Sequence, residues 1–131
     1  MSAKTVNLPW TTVITDSTSE EFIPATGWMS TNGVRQIRCA WELQAPGGSV
    51  TVRPGFQFAN TYDDPQSFDS FNDETATSTT GYHFPDAYED PTKTTPDHTG
   101  NMQIMRYGWL VKVTDGTGFA RVGGTVQIVS E

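Results

Sequence analysis

The stretch DDPQSFDSFNDE (63 to 74) gathers Asp63, Asp64, Asp69, Asn72, Asp73 and Glu74, enough oxygen ligands to suggest a calcium ion. It lacks the ligand spacing and central glycine of an EF-hand loop, and acid-rich loops are more often simply solvated. The two histidines, His83 and His98, lie further along the same region. Asp97 precedes His98, but adjacent residues do not converge on a metal without further partners. No C-x-x-C, H-x-x-x-H or H-E-x-x-H pattern occurs, so neither a metal nor any other cofactor is expected. Covalent catalysis would need a base beside a nucleophile, and the single Cys39 sits on the inward side of its segment, the ordinary place of a small buried apolar group. Glycoside cleavage would need two carboxylates about 5 to 9.5 Å apart across a cleft, whereas Glu42 stands alone on its strand. No glycine-rich loop opens a helix to cradle a phosphate. The chemistry points away from an enzyme.

Binding is better served. Trp41 and Trp109 fall on inward positions and belong to a core, whereas Trp10 and Trp28 lie in a less patterned N-terminal part. Exposed indoles stack on sugar rings, so a carbohydrate- or other ligand-binding module is one reading of the chain.

The elements that must position these residues are strands. No window keeps apolar residues at helical spacing without Gly or Pro intervening. In VRQIRCAWELQ (34 to 44), Ile37, Cys39, Trp41 and Leu43 share one face and Gln36, Arg38, Glu42 and Gln44 the other. APGG (45 to 48) turns the chain, and SVTVRPGFQF (49 to 58) puts Val50, Val52, Phe56 and Phe58 inward. These two segments read as a hairpin, with Pro54-Gly55 marking an edge or a bulge. MQIMRYGWLVKVTD (102 to 115) and FARVGGTVQIV (119 to 129), joined by GTG, read as a second hairpin. Met105, Tyr107, Trp109, Val111, Val113, Val122, Val126 and Ile128 face inward, and Gly123-Gly124 suggests a bulge or a close backbone approach. WTTVIT (10 to 15) and EFI (21 to 23) are weaker strands, and GWMSTNG (27 to 33) a turn-bearing connection. The expected fold is all-β: one domain over residues 1–131, an antiparallel β-sandwich or small jelly-roll-like barrel, with a long acidic arm between two hairpins.

That arm, residues 59–101, carries nine carboxylates against the single Lys93, a balance of −8. The remainder holds seven cations and six anions, so the arm accounts for the net charge of −7. An acidic chain is a poor non-specific binder of nucleic acid. A segment this long without regular structure is functional or disordered, and disorder is poor in aromatics. Here Tyr62, Phe68, Phe71, Tyr82, Phe84 and Tyr88 recur, so the arm is expected to dock, with a short strand around TSTTGYHF (77 to 84). Arg38, Arg53, Arg106, Lys112 and Arg121 occupy outward positions on four segments. If those strands share a sheet, its outer face is a basic patch that could receive the arm of the same chain or of a neighbour. The alternative is that these cations merely solubilise an exposed face. The expected protein-contact residues are therefore these five cations together with Phe68, Phe71, Tyr82, Phe84 and Tyr88.

MSAKTVNLPWTTVIT has no apolar leader core, and no run approaches the roughly 18 apolar residues of a membrane span. The lone cysteine cannot form an internal disulfide. A cytoplasmic origin is expected. Two patterned hairpins, the glycine-rich closing strand FARVGGTVQIVSE and the acidic, aromatic-bearing arm give the chain a plan that resembles the small β-sandwich proteins of virions. Tailed-phage capsid decoration (cement) proteins and head-fibre modules are the particular likeness. The resemblance implies a stabilising structural role in a virion assembled in a host cytoplasm, often as trimers, with the chain itself and a major capsid protein as partners. Under it, the arm and the N-terminal segment 1–9 are the contact elements.

Overall fold

A computed structural model describes residues 2–59, 67–71, 75–84, 88 and 104–130. Among the described residues nine strands form two antiparallel sheets, and no helix occurs. They are β1 (Ser2–Thr15), β2 (Glu21–Pro24), β3 (Met29–Ser30), β4 (Val34–Gly47), β5 (Thr51–Ala59), β6 (Ser67–Ser70), β7 (Gly81–His83), β8 (Ile104–Lys112) and β9 (Gly118–Ser130). One sheet runs β1-β9-β4-β7, the other β2-β8-β5-β6, with β3 also paired to β8. The fold is an antiparallel β-sandwich.

Alternation set the inner faces as read. Ile37, Cys39, Trp41, Leu43, Val50, Val52, Phe56, Phe58, Met105, Tyr107, Trp109, Val111, Val113, Val122, Val126 and Ile128 are all buried in one core. Trp41 from the first sheet meets Trp109 from the second with ring centroids 5.8 Å apart. Large side chains buried this way stabilise by about 1.5–3 kcal/mol each.

Neither expected hairpin forms. β4 pairs with β9 and β7, while β5 pairs with β8 and β6, so the 45–50 connection crosses from one sheet to the other. The 113–118 connection does the same. Together β4–β5 and β8–β9 make one long two-stranded ribbon bent across both sheets. The two crossings lock side by side: the Ser49 hydroxyl accepts from the Thr114 N–H at 2.9 Å and donates to the Asp115 carbonyl at 3.2 Å. Gly48 and Gly116 take positive φ at these bends (69° and 64°), a region that glycine enters without the steric cost of a β-carbon.

Two further expectations change. From Ser2 onward, the segment 1–9 is the first half of β1 and is laddered to β9, so it is a sheet strand and not a free arm. Pro54 lies in an unbroken ladder with β8 and makes no bulge. On the other side of β5, β6 pairs only as far as Gly55, so the missing proline N–H faces a local end of pairing; the Pro54 carbonyl accepts from the Phe71 N–H at 3.4 Å.

The bulge is in β1. Its register shifts between Leu8 and Thr11, opposite Gly123. Leu8 and Val13 are both buried although five residues apart, an odd spacing that one extra residue reconciles.

Candidate functional site

The acidic insertion is built into the sandwich wherever it is described. β6 adds to the edge of β5, and β7 to the edge of β4. Between them, Thr77 exchanges both backbone hydrogen bonds with Val52 at 2.9 Å. Phe71 is 1% exposed; it packs edge-on against Phe56 at 5.4 Å and stacks on Tyr107 at 6.1 Å. Tyr88 lies under the Arg38 guanidinium, 4.3 Å from it, and donates its hydroxyl to the Gln127 side-chain oxygen at 3.1 Å. Backbone pairing, an aromatic plug and a cation–π contact hold these parts to their own chain. Of the arm's carboxylates only Asp69 is described, its oxygen accepting the Ser70 N–H at 2.8 Å. Tyr62, His98 and the other acids of the insertion lie outside the described residues. Among the described residues no three His, Cys, Asp or Glu side chains cluster as metal ligands would.

The five expected cations do not share a sheet. Arg38 (β4) and Arg121 (β9) stand on the outer face of the first sheet, and Arg53 (β5), Arg106 and Lys112 (β8) on that of the second. A single basic patch is thus ruled out by strand order. Four of the five are engaged locally. Arg53 forms a two-point ion pair with Glu20 (2.8 and 2.6 Å), and that bond holds the guanidinium pKa above its usual value against the opposing effect of burial. Arg106 donates to Gln57 at 2.8 Å and lies over Trp28 at 4.6 Å. Arg121 lies 5.5 Å from the centre of Trp10. Lys112 is exposed.

Exposed aromatics collect on the outer face of the first sheet. The β1 bulge re-aims Trp10, whose ring lies over Gly123 so closely that a β-carbon there would come within 2.8 Å of it. Across the sheet, Glu42 pairs in register with Tyr82, and the Tyr82 hydroxyl donates to the Glu42 carboxylate. That bond raises the tyrosine pKa, since a phenolate would face the carboxylate charge. Gln44 donates to the same carboxylate. Tyr82 and Phe84 run nearly parallel, 17° apart with centroids at 6.0 Å. Together Trp10, Glu42, Tyr82, Phe84, Gly123 and Gly124 line an open groove of about 380 Å³. His83, the partner of Trp41 in the ladder, points the other way: its ring stacks on Trp41 at 4.4 Å and its Nε2 bonds the Thr79 carbonyl at 2.9 Å. Its place is a structural lid on the core.

Phe68, Tyr82 and Phe84 are exposed, while Phe71 is core and Tyr88 half-buried. Of the two uncommitted tryptophans, Trp10 is exposed and Trp28 half-buried under Arg106. The groove as a unit was invisible in the sequence because it needs β1, β9, β4 and β7 side by side. Its one trace was Gly123-Gly124.

No protein-family model and no curated protein matches the sequence. A fold match does exist, to a chain of the structure of infectious bursal disease virus, Gx strain. The likeness is one of fold. It covers 98% of this chain with a TM-score of 0.58 and 6% identity, and this chain spans 33% of that one. No helix among the described residues is long and apolar enough to cross a membrane.

Proposed function

We propose that the chain is a non-enzymatic structural component of a virion, of the capsid-decoration or stabilising kind found on tailed phages. It acts through contacts with its own copies and with a major capsid protein. The observation that carries the reading is an apolar pair on an open sheet edge. β1 is the outermost strand of its sheet, and no described strand pairs with its far side. Its first part is guarded by Lys4, Pro9 and the bulge, devices that discourage edge-to-edge association. Its last part, Thr11–Thr15, is unguarded. There Ile14 pairs with Phe119 of β9, and both large side chains are exposed on the outer face. Apolar groups left beside open backbone donors and acceptors suit a protein surface. The shared fold with a chain from a virus structure supports the same reading.

A protein that binds only the assembled lattice stabilises it by mass action, and many equal contacts add through multivalency. The test is light scattering after size exclusion, with and without cognate capsids, on the native chain and on the double variant Ile14→Glu/Phe119→Glu. The native chain should self-associate or load onto capsids and raise their melting temperature; the variant should stay monomeric and unbound. A native chain that remains monomeric and ignores capsids overturns the reading.

A further inference from the structure

The aromatic groove is distinct from the Ile14–Phe119 edge, lying nearer the middle of the first sheet and reaching β7. Three large side chains that water ordinarily drives inward are held outside here: Trp10 is 44%, Tyr82 70% and Phe84 72% exposed. Each is fixed in place. Trp10 is seated on Gly123 by the β1 bulge, Tyr82 is tied to Glu42, and Phe84 runs alongside Tyr82. Ordered, exposed aromatic faces present C–H-binding surface at little entropic cost.

We infer that this groove binds a neutral carbohydrate, one pyranose face lying on Trp10 and the ring bounded by Tyr82 and Phe84, with hydroxyls donating to Glu42. The charge pattern selects the ligand. Glu42 is the one charged group among the described lining residues, and its charge disfavours phosphates, nucleic acids and acidic sugars. Arg121, close to Trp10, disfavours a cation. A neutral ligand remains, with hydroxyls for the Glu42 oxygens and for the Asn7 and Thr125 side chains that also border the groove. Size selects too. Trp10 lies over β9 and Tyr82 stands on β7, two strand spacings or about 9.6 Å apart. That admits a sugar ring but not an α-helix, whose diameter with side chains is about 10–12 Å. The inference stands whether or not the chain belongs to a virion.

The experiment is a glycan array of neutral and sialylated glycans, followed by titration of tryptophan fluorescence with cellopentaose, maltopentaose, mannopentaose and a proline decapeptide. A neutral glycan should bind and shift the indole emission. Trp10→Ala and Phe84→Ala should each weaken that binding by about tenfold or more. Glu42→Gln should weaken it less, and Trp28→Ala should leave it unchanged, with circular dichroism showing all four folded. The inference is overturned if no neutral glycan binds at millimolar concentration, if only sialylated glycans or the proline peptide bind, or if Trp28→Ala loses as much affinity as Trp10→Ala. Because the readout is glycan binding by the soluble chain, its failure would leave the capsid reading standing, and the reverse.

Discussion

The Arg38 guanidinium lies over the Tyr88 ring at 4.3 Å, and both residues bond the side-chain oxygen of Gln127. A residue of the acidic insertion is thereby clamped to the outer face of its own first sheet. A partly exposed cation–π contact is worth about 0.5–1 kcal/mol. Arg38→Ala and Tyr88→Ala should therefore lower the melting temperature by only a few degrees and speed proteolytic cleavage within residues 84–104 several-fold. Cleavage at the native rate in both variants would show that the clamp does not hold the insertion.

Phe71 belongs to the insertion by sequence and to the core by position. Truncating a buried phenylalanine costs about 3–5 kcal/mol, so Phe71→Ala should unfold at much lower denaturant. Phe68, three residues earlier and exposed on β6, should cost less than about 0.5 kcal/mol on the same change. Equal midpoints for the two variants would mean that Phe71 does not plug the sandwich.

These contacts show what a sequence can and cannot carry. Period-two alternation reports which side of a strand is buried, and for Ile37 through Leu43 or Met105 through Val113 that was legible. It is silent on the partner strand. Leu43 and Val50 both face the core whether 34–44 and 49–58 lie side by side or in opposite sheets, so crossings between sheets read as hairpins. The basic patch failed for the same reason: outward parity puts Arg38 and Arg53 in solvent without saying on which face. The groove required the same missing strand order, and only the paired glycines Gly123-Gly124 recorded it in the sequence.

Burial pushes the Tyr107 hydroxyl pKa well above the ordinary value near 10. In the unfolded chain this tyrosine loses its proton near pH 10 while the folded one keeps it, so the unfolded state binds fewer protons there. Its contribution to stability is complete below about pH 10 and declines as pH rises through and beyond that value, by at most about 1.4 kcal/mol per pH unit. Denaturant melts at pH 9, 10 and 11 should show this loss in the native protein and a shallower one in Tyr107→Phe. Identical pH slopes would mean that the hydroxyl is not desolvated.

Gly123 and Gly124 are adjacent on β9 but answer to opposite sides of the sheet. A β-carbon at 124 would come within 2.4 Å of the Ala40 carbonyl oxygen and 2.9 Å of the Trp41 backbone, neither of which can yield without breaking the β4–β9 ladder. At 123 the nearest atoms belong to the Trp10 ring, an exposed side chain that an added β-carbon can push off its seat where backbone cannot yield. Gly124→Ala should therefore cost about 1–3 kcal/mol of stability, the usual toll of overpacking. Gly123→Ala should keep nearly native stability while Trp10 emission moves to the red. Since the ring would leave its seat, the same variant should also lose any ligand of the groove. Equal destabilisation by the two substitutions would mean that Trp10 is as tightly held as the backbone, and that the groove floor is rigid on both sides.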